Sequence, residues 1–182
     1  DVYRTVQAYR LLARQVDHPF HLGVTEAGTP FGGTIRSSLG LGILLAEGIG
    51  DTIRVSLTGR GEEECDVGHE ILRALGLRAG GFRMVSCPSC GRVQIDLDRV
   101  AHEIEEGLKA IGHEGITYAV MGCVVNGPGE ARDADLGVAG GAGEGLIYRK
   151  GDLIRKVKEE DLVSAFLEEA RRFKAELDGA QV

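Results

Sequence analysis

Apolar residues recur every three or four positions in three segments of the chain, which is the spacing of one face of an α-helix. The pattern predicts an opening helix that ends before Pro19, a helix near residues 97–111 and a last helix near residues 162–177. Residues 34–47 and 62–75 are expected to form two further helices. The three apolar faces consist of Val2, Val6, Tyr9, Leu12 and Val16, of Leu97, Val100, Ile104, Leu108 and Ile111, and of Leu162, Phe166, Ala170, Phe173 and Leu177.

Short apolar runs between these helices predict strands. In the first half of the chain they lie at residues 21–26 and 52–57, and each is followed by a helix. The order helix–strand–helix–strand–helix with short loops favours parallel strands, as in a (β/α) barrel or a doubly wound sheet. Two strands cannot form such a sheet alone, so this half is expected to be incomplete.

A glycine-containing stretch at residues 78–81 is the best candidate for a domain boundary, and we assign residues 1–79 and 80–182 to two domains. Strands are predicted on either side of the helix at 97–111, at residues 82–86 and 116–121. Three short segments separated by glycines then predict a meander or hairpins. We therefore expect a compact α+β domain, its meander segments lying at residues 136–139, 145–148 and 153–157.

Composition narrows the class of protein. The chain has 182 residues, 28 of them glycine, and a formal net charge of −7, which argues against a nucleic-acid partner. Its longest apolar run, residues 39–49, is interrupted by glycines and Glu47, so no membrane span is expected. The chain begins at Asp1 without a methionine or a signal peptide, which suggests a fragment or a processed product of a cytoplasmic protein.

Three cysteines are the strongest candidates for chemistry. Cys87 and Cys90 form a Cys-x-x-Cys pair directly after one predicted strand, and Cys123 follows another. Three thiolates at strand ends would make a metal site that lacks one ligand. An iron–sulfur cluster fits the spacing about as well as zinc, for which His102 or His113 could be the fourth ligand. A thioredoxin-like redox pair and three unrelated buried cysteines remain alternatives.

A turn-forming sequence after Cys123 adds a carboxylate to this set. Residues 126–129, Asn-Gly-Pro-Gly, can fold the chain back, and Glu130 lies directly beyond them. A carboxylate is a hard ligand that suits iron better than it suits a zinc thiolate site, and an iron with a displaceable ligand could bind substrate. From the residues alone, a surface glutamate after a loop is the more common case.

Two runs of sequence closely resemble the family of 4-hydroxy-3-methylbut-2-enyl diphosphate synthases, iron–sulfur enzymes of the non-mevalonate isoprenoid pathway. They are Cys-Pro-Ser-Cys-Gly-Arg at residues 87–92 and Met-Gly-Cys-Val-Val-Asn-Gly-Pro-Gly-Glu at residues 121–130. The resemblance continues through residues 22–28, 47–57 and 136–141, so it covers nearly the whole chain. It implies an α/β plus α+β architecture, with the last two βα units of a TIM barrel over residues 1–79 and an iron–sulfur domain over residues 80–182.

The same resemblance implies ligands and a cofactor. Cys87, Cys90, Cys123 and Glu130 are expected to bind a [4Fe–4S] cluster. Glu130 would also be catalytic, because substrate would displace it from the unique iron, which would act as a Lewis acid. Glu26 resembles the family's barrel carboxylate, a proton donor.

Substrate-binding residues follow from the resemblance as well. They are Thr25, Arg54, Ser56 and Asn126. Strand ends in a barrel are favoured phosphate sites, and Arg54 has a planar fork that fits phosphate oxygens. Without the resemblance, Arg54 would be read as a salt-bridged barrel residue and Ser56 as a satisfied core residue.

The implied reaction is the reductive ring opening and dehydroxylation of 2-C-methyl-D-erythritol 2,4-cyclodiphosphate to 4-hydroxy-3-methylbut-2-enyl diphosphate. Ferredoxin or flavodoxin would donate the electrons, and the intact protein would be a homodimer. We expect this chain alone to be inactive, because most of the barrel is missing from it. The rival hypotheses are a non-catalytic Cys₃ zinc-binding or interaction module and a thiol–disulfide oxidoreductase.

Overall fold

The computed structural model describes residues 1–112, 115–125, 129–130 and 133–180. They divide into two compact units, residues 1–79 and residues 80–182. Each unit has a hydrophobic core of its own.

The first unit consists of two consecutive βα units preceded by a helix. Strands β1 and β2 are parallel, and Gly23 of β1 pairs with Arg54 of β2. Apolar residues of the helices and strands form its core, among them Leu22, Leu41 and Leu44. The elements in order are α1 (Val2–Leu12), β1 (His21–Gly23), α2 (Pro30–Ala46), β2 (Thr52–Arg54) and α3 (Gly61–Ala74).

Both strands of this unit are shorter than the sequence predicts. The chain leaves the ladder after Arg54, and from Leu57 onward its backbone binds elsewhere: the Leu57 N–H donates to the Glu64 carboxylate at 2.8 Å and the Thr58 N–H to the Gly28 carbonyl at 2.9 Å. The extension of the opening helix to Val16 is also wrong, because a tight turn follows Leu12.

The second unit contains a five-stranded mixed sheet in the order β3-β4-β5-β6-β7. Strands β3, β4 and β5 are parallel, and β5, β6 and β7 form an antiparallel meander. The predicted strands and the predicted meander are confirmed. The elements are β3 (Arg83–Ser86), α4 (Leu97–Ile111), β4 (Thr117–Met121), β5 (Leu136–Gly141), β6 (Glu144–Arg149), β7 (Asp152–Lys158), a 3₁₀ helix (Glu159–Asp161) and α5 (Leu162–Ala180).

Helices α4 and α5 contribute to the main core of this unit together with side chains from one face of the sheet. Asp96 caps α4 by accepting from the Arg99 N–H, and Gly112 ends it with a φ of 69°, a left-handed conformation that suits glycine. The buried faces of both helices are those predicted, except that Leu177 is 38% exposed. Phe173 is the last residue of α5 in the core, so the helix continues beyond the core it covers.

Within the described ranges, none of the helices is both long and apolar enough to cross a membrane.

Candidate functional site

The topology of the second unit places two of the three candidate cysteines at one edge of the sheet. Cys87 follows β3 directly, and Cys123 follows β4 after Gly122. Strands β3 and β4 are parallel neighbours, with Ser86 paired to Val120. Because the carboxyl ends of parallel strands meet at the same edge, the segments that carry these thiols leave the sheet side by side.

Hydrogen bonds tie the Cys-x-x-Cys segment to the end of β4. The Cys87 N–H donates to the Val120 carbonyl at 3.3 Å, and the Gly122 N–H donates to the Cys87 sulfur at 3.3 Å. Further along, the Gln94 N–H donates to the Gly122 carbonyl at 2.9 Å. Gly122, the residue that precedes Cys123, is therefore bonded to the chain at Cys87 and again at Gln94.

The three thiols differ in exposure and in acidity. Cys123 is buried, Cys87 is half-buried and Cys90 is exposed. Arg92 lowers the pKa of the Cys90 thiol, chiefly through its backbone N–H and secondly through its guanidinium. A lowered pKa raises the fraction of thiolate, which is the form that binds metals. All four cysteines lie in the described part of the chain, and none is in a disulfide.

The fourth cysteine, Cys65, belongs to helix α3 of the first unit. Its place on a helix suggests a small core residue, but it is exposed on α3. A side chain of its size can occupy either face of a helix at little cost, so sequence pattern alone does not place it.

The structure does not assemble the predicted ligands into a closed site. Glu130 is exposed in a short helical stretch, and Asn126 lies outside the described residues, as does His113. Among residues 1–112, 115–125, 129–130 and 133–180, no three His, Cys, Asp or Glu side chains converge closely enough to hold one metal ion. The ligand set of Cys87, Cys90, Cys123 and Glu130 therefore stays a prediction.

Cys87 also packs against a second, smaller apolar cluster. Besides contacting the main core, Cys87 packs against a smaller cluster that includes Met121, Ala139 and Tyr148. Met121 is 1% exposed and Ala139 is fully buried, and burial also raises the pKa of Tyr148. Within the described residues, the Gly122 N–H is the hydrogen-bond donor to the Cys87 sulfur.

In the first unit, the structure brings two predicted substrate residues together. Arg54 ends β2, and Thr25 lies two residues after Gly23, which ends β1. The Arg54 Nη2 donates to the Thr25 hydroxyl at 2.6 Å. The guanidinium passes close over Gly23, where a Cβ would lie 3.3 Å from its Nε. An exposed cation is therefore held at the carboxyl end of the parallel pair.

Glu26 and Ser56 lie near the same strand ends. Ser56 is half-buried two residues after β2, and Glu26 is exposed in the turn that follows β1. Glu26 has a φ of 57°, in the left-handed region. That conformation costs a residue with a side chain about 1–2 kcal/mol. The surrounding structure must therefore stabilise the turn that carries this carboxylate.

Sequence reasoning missed two groups, the Gly122 N–H at Cys87 and Arg92 at Cys90. The second carries a usable signal, because a cation two residues after a Cys-x-x-Cys pair can reach its second sulfur. The first is a backbone group and is visible only once the strand pairing is known.

The fold and the site together define a chain that joins two barrel-type βα units to a mixed sheet with thiols at one edge. The GcpE TIM-barrel domain matches residues 1–69, and the GcpE protein C-terminal domain matches residues 83–172. The chain belongs to the GcpE family.

Three curated relatives carry the name 4-hydroxy-3-methylbut-2-en-1-yl diphosphate synthase (flavodoxin). The protein from Geobacter sulfurreducens is 60% identical over 97% of this chain, and the alignment covers 50% of that protein. Those from Clostridium perfringens and Clostridium acetobutylicum are 59% and 57% identical over 92% and 93% of the chain, each covered over 48% of its length. The chain spans about half the length of the curated relatives it matches.

Proposed function

We propose that the intact protein catalyses the reductive ring opening and dehydroxylation of 2-C-methyl-D-erythritol 2,4-cyclodiphosphate to 4-hydroxy-3-methylbut-2-enyl diphosphate. The observation that supports this most strongly is the arrangement of Cys87, Gly122 and Cys123 at the ends of paired parallel strands. The name shared by relatives about 60% identical to the chain agrees with it.

The donor set of three cysteines and a glutamate suits an iron–sulfur cluster. Cysteine thiolates are the usual ligands of such clusters, and a carboxylate is a hard ligand that suits iron better than it suits a zinc thiolate site. Cys87, Cys90, Cys123 and Glu130 would hold a [4Fe–4S] cluster, which when bound would supply electrons to the substrate one at a time.

The chain's own residues would bind the diphosphate. Arg54 carries an exposed guanidinium that the Thr25 hydroxyl orients, and a planar guanidinium pairs well with phosphate oxygens. Ser56 can donate a hydroxyl hydrogen bond from the same strand end, and Asn126 is proposed as a further substrate contact. Binding through such fixed donors would position the ring for bond cleavage.

Glu26 would supply the proton. The reaction takes up two electrons and a proton and releases water, so a carboxylic acid must face the departing oxygen. Glu26 is exposed near Arg54 and Thr25 and is held in an unfavourable backbone conformation. Strain of this kind is typical of residues kept in place for function.

The proposed partners are an electron carrier and a second subunit. The names of the relatives favour flavodoxin, with ferredoxin as the alternative of the same class, and we propose a homodimer for the intact protein. Four free cysteines fit a reducing compartment, so we place the reaction in the cytoplasm.

Two exposed cysteines provide a matched test of this function. In the intact protein, assayed anaerobically with reduced flavodoxin and the cyclic diphosphate, Cys90→Ala should abolish turnover, while Cys65→Ala on α3 should leave it unchanged. Both side chains are exposed, so neither change should disturb folding. Full turnover by Cys90→Ala would contradict the proposal.

A further inference from the structure

The hydrogen bond between Gly122 and Cys87 departs from the pattern of the sheet in an informative way. In a parallel ladder, backbone N–H groups of the two strands donate in turn to backbone carbonyls of the partner strand. The Cys87 N–H keeps this pattern and binds the Val120 carbonyl. The next donor on the other strand, the Gly122 N–H, instead binds the Cys87 sulfur at 3.3 Å.

Two features fix the orientation of the Gly122 backbone. Its carbonyl accepts from the Gln94 N–H at 2.9 Å, so it is held on both sides. A Cβ at this position would lie 3.0 Å from Val93 Cγ2 and 3.2 Å from Leu97 Cδ2. The φ of Gly122 is outside the left-handed region, so close packing rather than backbone conformation is what favours glycine here.

The apolar surroundings of Cys87 strengthen the hydrogen bond that it accepts from the Gly122 N–H. Cys87 packs against the smaller cluster that includes Met121 and Ala139, both almost completely buried. In apolar surroundings a hydrogen bond to a charged group is stronger than in water. A thiolate bound to a metal centre gains negative charge when the centre is reduced, so a donor aimed at it stabilises the reduced form more than the oxidised form.

We propose that Gly122 is a positioning residue whose peptide N–H raises the reduction potential of a cluster bound through Cys87. This inference rests on the proposed function, because it needs a cluster at that thiol. In this proposal Gly122 acts on the cluster through its hydrogen bond to Cys87 and is not itself a ligand.

Four versions of the 182-residue chain test the proposal. All variants carry Val93→Ala, which removes the methyl groups nearest to the new Cβ. In that background, Gly122→Ala keeps the N–H and Gly122→Pro removes it with a similar increase in bulk. Proline is compatible with the residue before it, because Met121 is already in a strand. The parent chain and Val93→Ala alone complete the set.

After anaerobic reconstitution, the midpoint potential of each version is measured by a redox titration followed by electron paramagnetic resonance. We expect the proline variant to have a more negative midpoint potential than the alanine variant, which should stay close to Val93→Ala. Equal midpoint potentials in the proline and alanine variants would overturn the inference. A parent chain that takes up no iron–sulfur cluster would instead overturn the proposed function.

Amide hydrogen exchange tests the hydrogen bond itself in the cluster-free chain, even if the proline variant does not fold. The Gly122 amide should be protected from exchange in the parent chain, and Cys87→Ala should reduce that protection more than Cys87→Ser, which keeps a hydrogen-bond acceptor at this position. Equal protection in the parent chain and Cys87→Ala would show that the sulfur is not the acceptor and would overturn the inference.

Discussion

Arg54 shows how neighbours orient a single side chain at the end of a strand. Its guanidinium donates to Thr25 and passes over Gly23, the residue paired with it in the parallel ladder. Neither interaction buries the charge, so the cation remains available to a ligand. The absence of a side chain at residue 23 is what allows this position, because a Cβ there would lie 3.3 Å from both Nε and Nη2 of Arg54.

Because a Cβ at residue 23 would crowd the guanidinium of Arg54, Gly23→Ala should have the same kind of effect on substrate binding as Arg54→Ala, but a smaller one. In the intact protein both changes should raise KM for the cyclic diphosphate, Arg54→Ala by about 10-fold or more, as expected for loss of a charged hydrogen bond. Steady-state kinetics would check this, with Arg73→Ala as the control, since Arg73 pairs with Glu70 in the last turn of α3. An unchanged KM in Arg54→Ala would contradict the proposed role.

Substitutions of Glu26 should affect stability and activity differently. Glu26→Gly should keep or raise the free energy of unfolding, by up to about 1 kcal/mol, because glycine adopts a φ of 57° without strain. Glu26→Gln keeps the shape of the side chain but cannot supply the proton. Both variants of the intact protein should lose about 100-fold or more in kcat.

Urea denaturation and steady-state kinetics measure the two effects of the Glu26 variants. Wild-type turnover in Glu26→Gln would exclude a proton-donor role for this residue. A large loss of stability in Glu26→Gly would show that the side chain, rather than the loop, holds the turn.

Helix α4 is the element in which sequence and structure agree best. Leu97, Val100, Ile104 and Leu108 are all buried as the helical spacing predicts, and the helix ends at Gly112. Strand ends were less predictable. The apolar run through β2 looks like one strand from residue 52 to 57, but its last part binds Glu64 and Gly28, which are contacts that only the folded chain provides.

The packing of α4 against the sheet predicts a clear contrast between its two faces. Ile104→Ala removes a fully buried side chain from the core and should cost about 2–5 kcal/mol of the free energy of unfolding. His102→Ala changes a mostly exposed side chain and should cost less than about 0.5 kcal/mol. Urea denaturation of the cluster-free chain measures both, and similar losses for the two variants would mean that the helix does not pack as described.

For the whole molecule, the sequence predicted which cysteines follow the strands of the second unit. It did not predict the hydrogen bond that joins the ends of β3 and β4. The register of β3 and β4 decides that Cys87 faces the Gly122 N–H, and register is a property of the assembled sheet. Zinc and iron–sulfur chemistry could not be separated by spacing.

The 182 residues assayed by themselves should show no turnover of the cyclic diphosphate. The described part of the first unit contributes two parallel strands, whereas a (β/α) barrel that binds substrate at its carboxyl-terminal face needs eight. An anaerobic assay beside the intact protein checks this, and turnover by the 182-residue chain would refute it.

Metal analysis after anaerobic reconstitution is the decisive measurement of whether this chain binds an iron–sulfur cluster. We predict about four irons with a matching amount of sulfide per chain, together with the visible absorption and the paramagnetic signal of a reduced cluster. Tight binding of about one zinc per chain, with neither of those signals, would contradict the account.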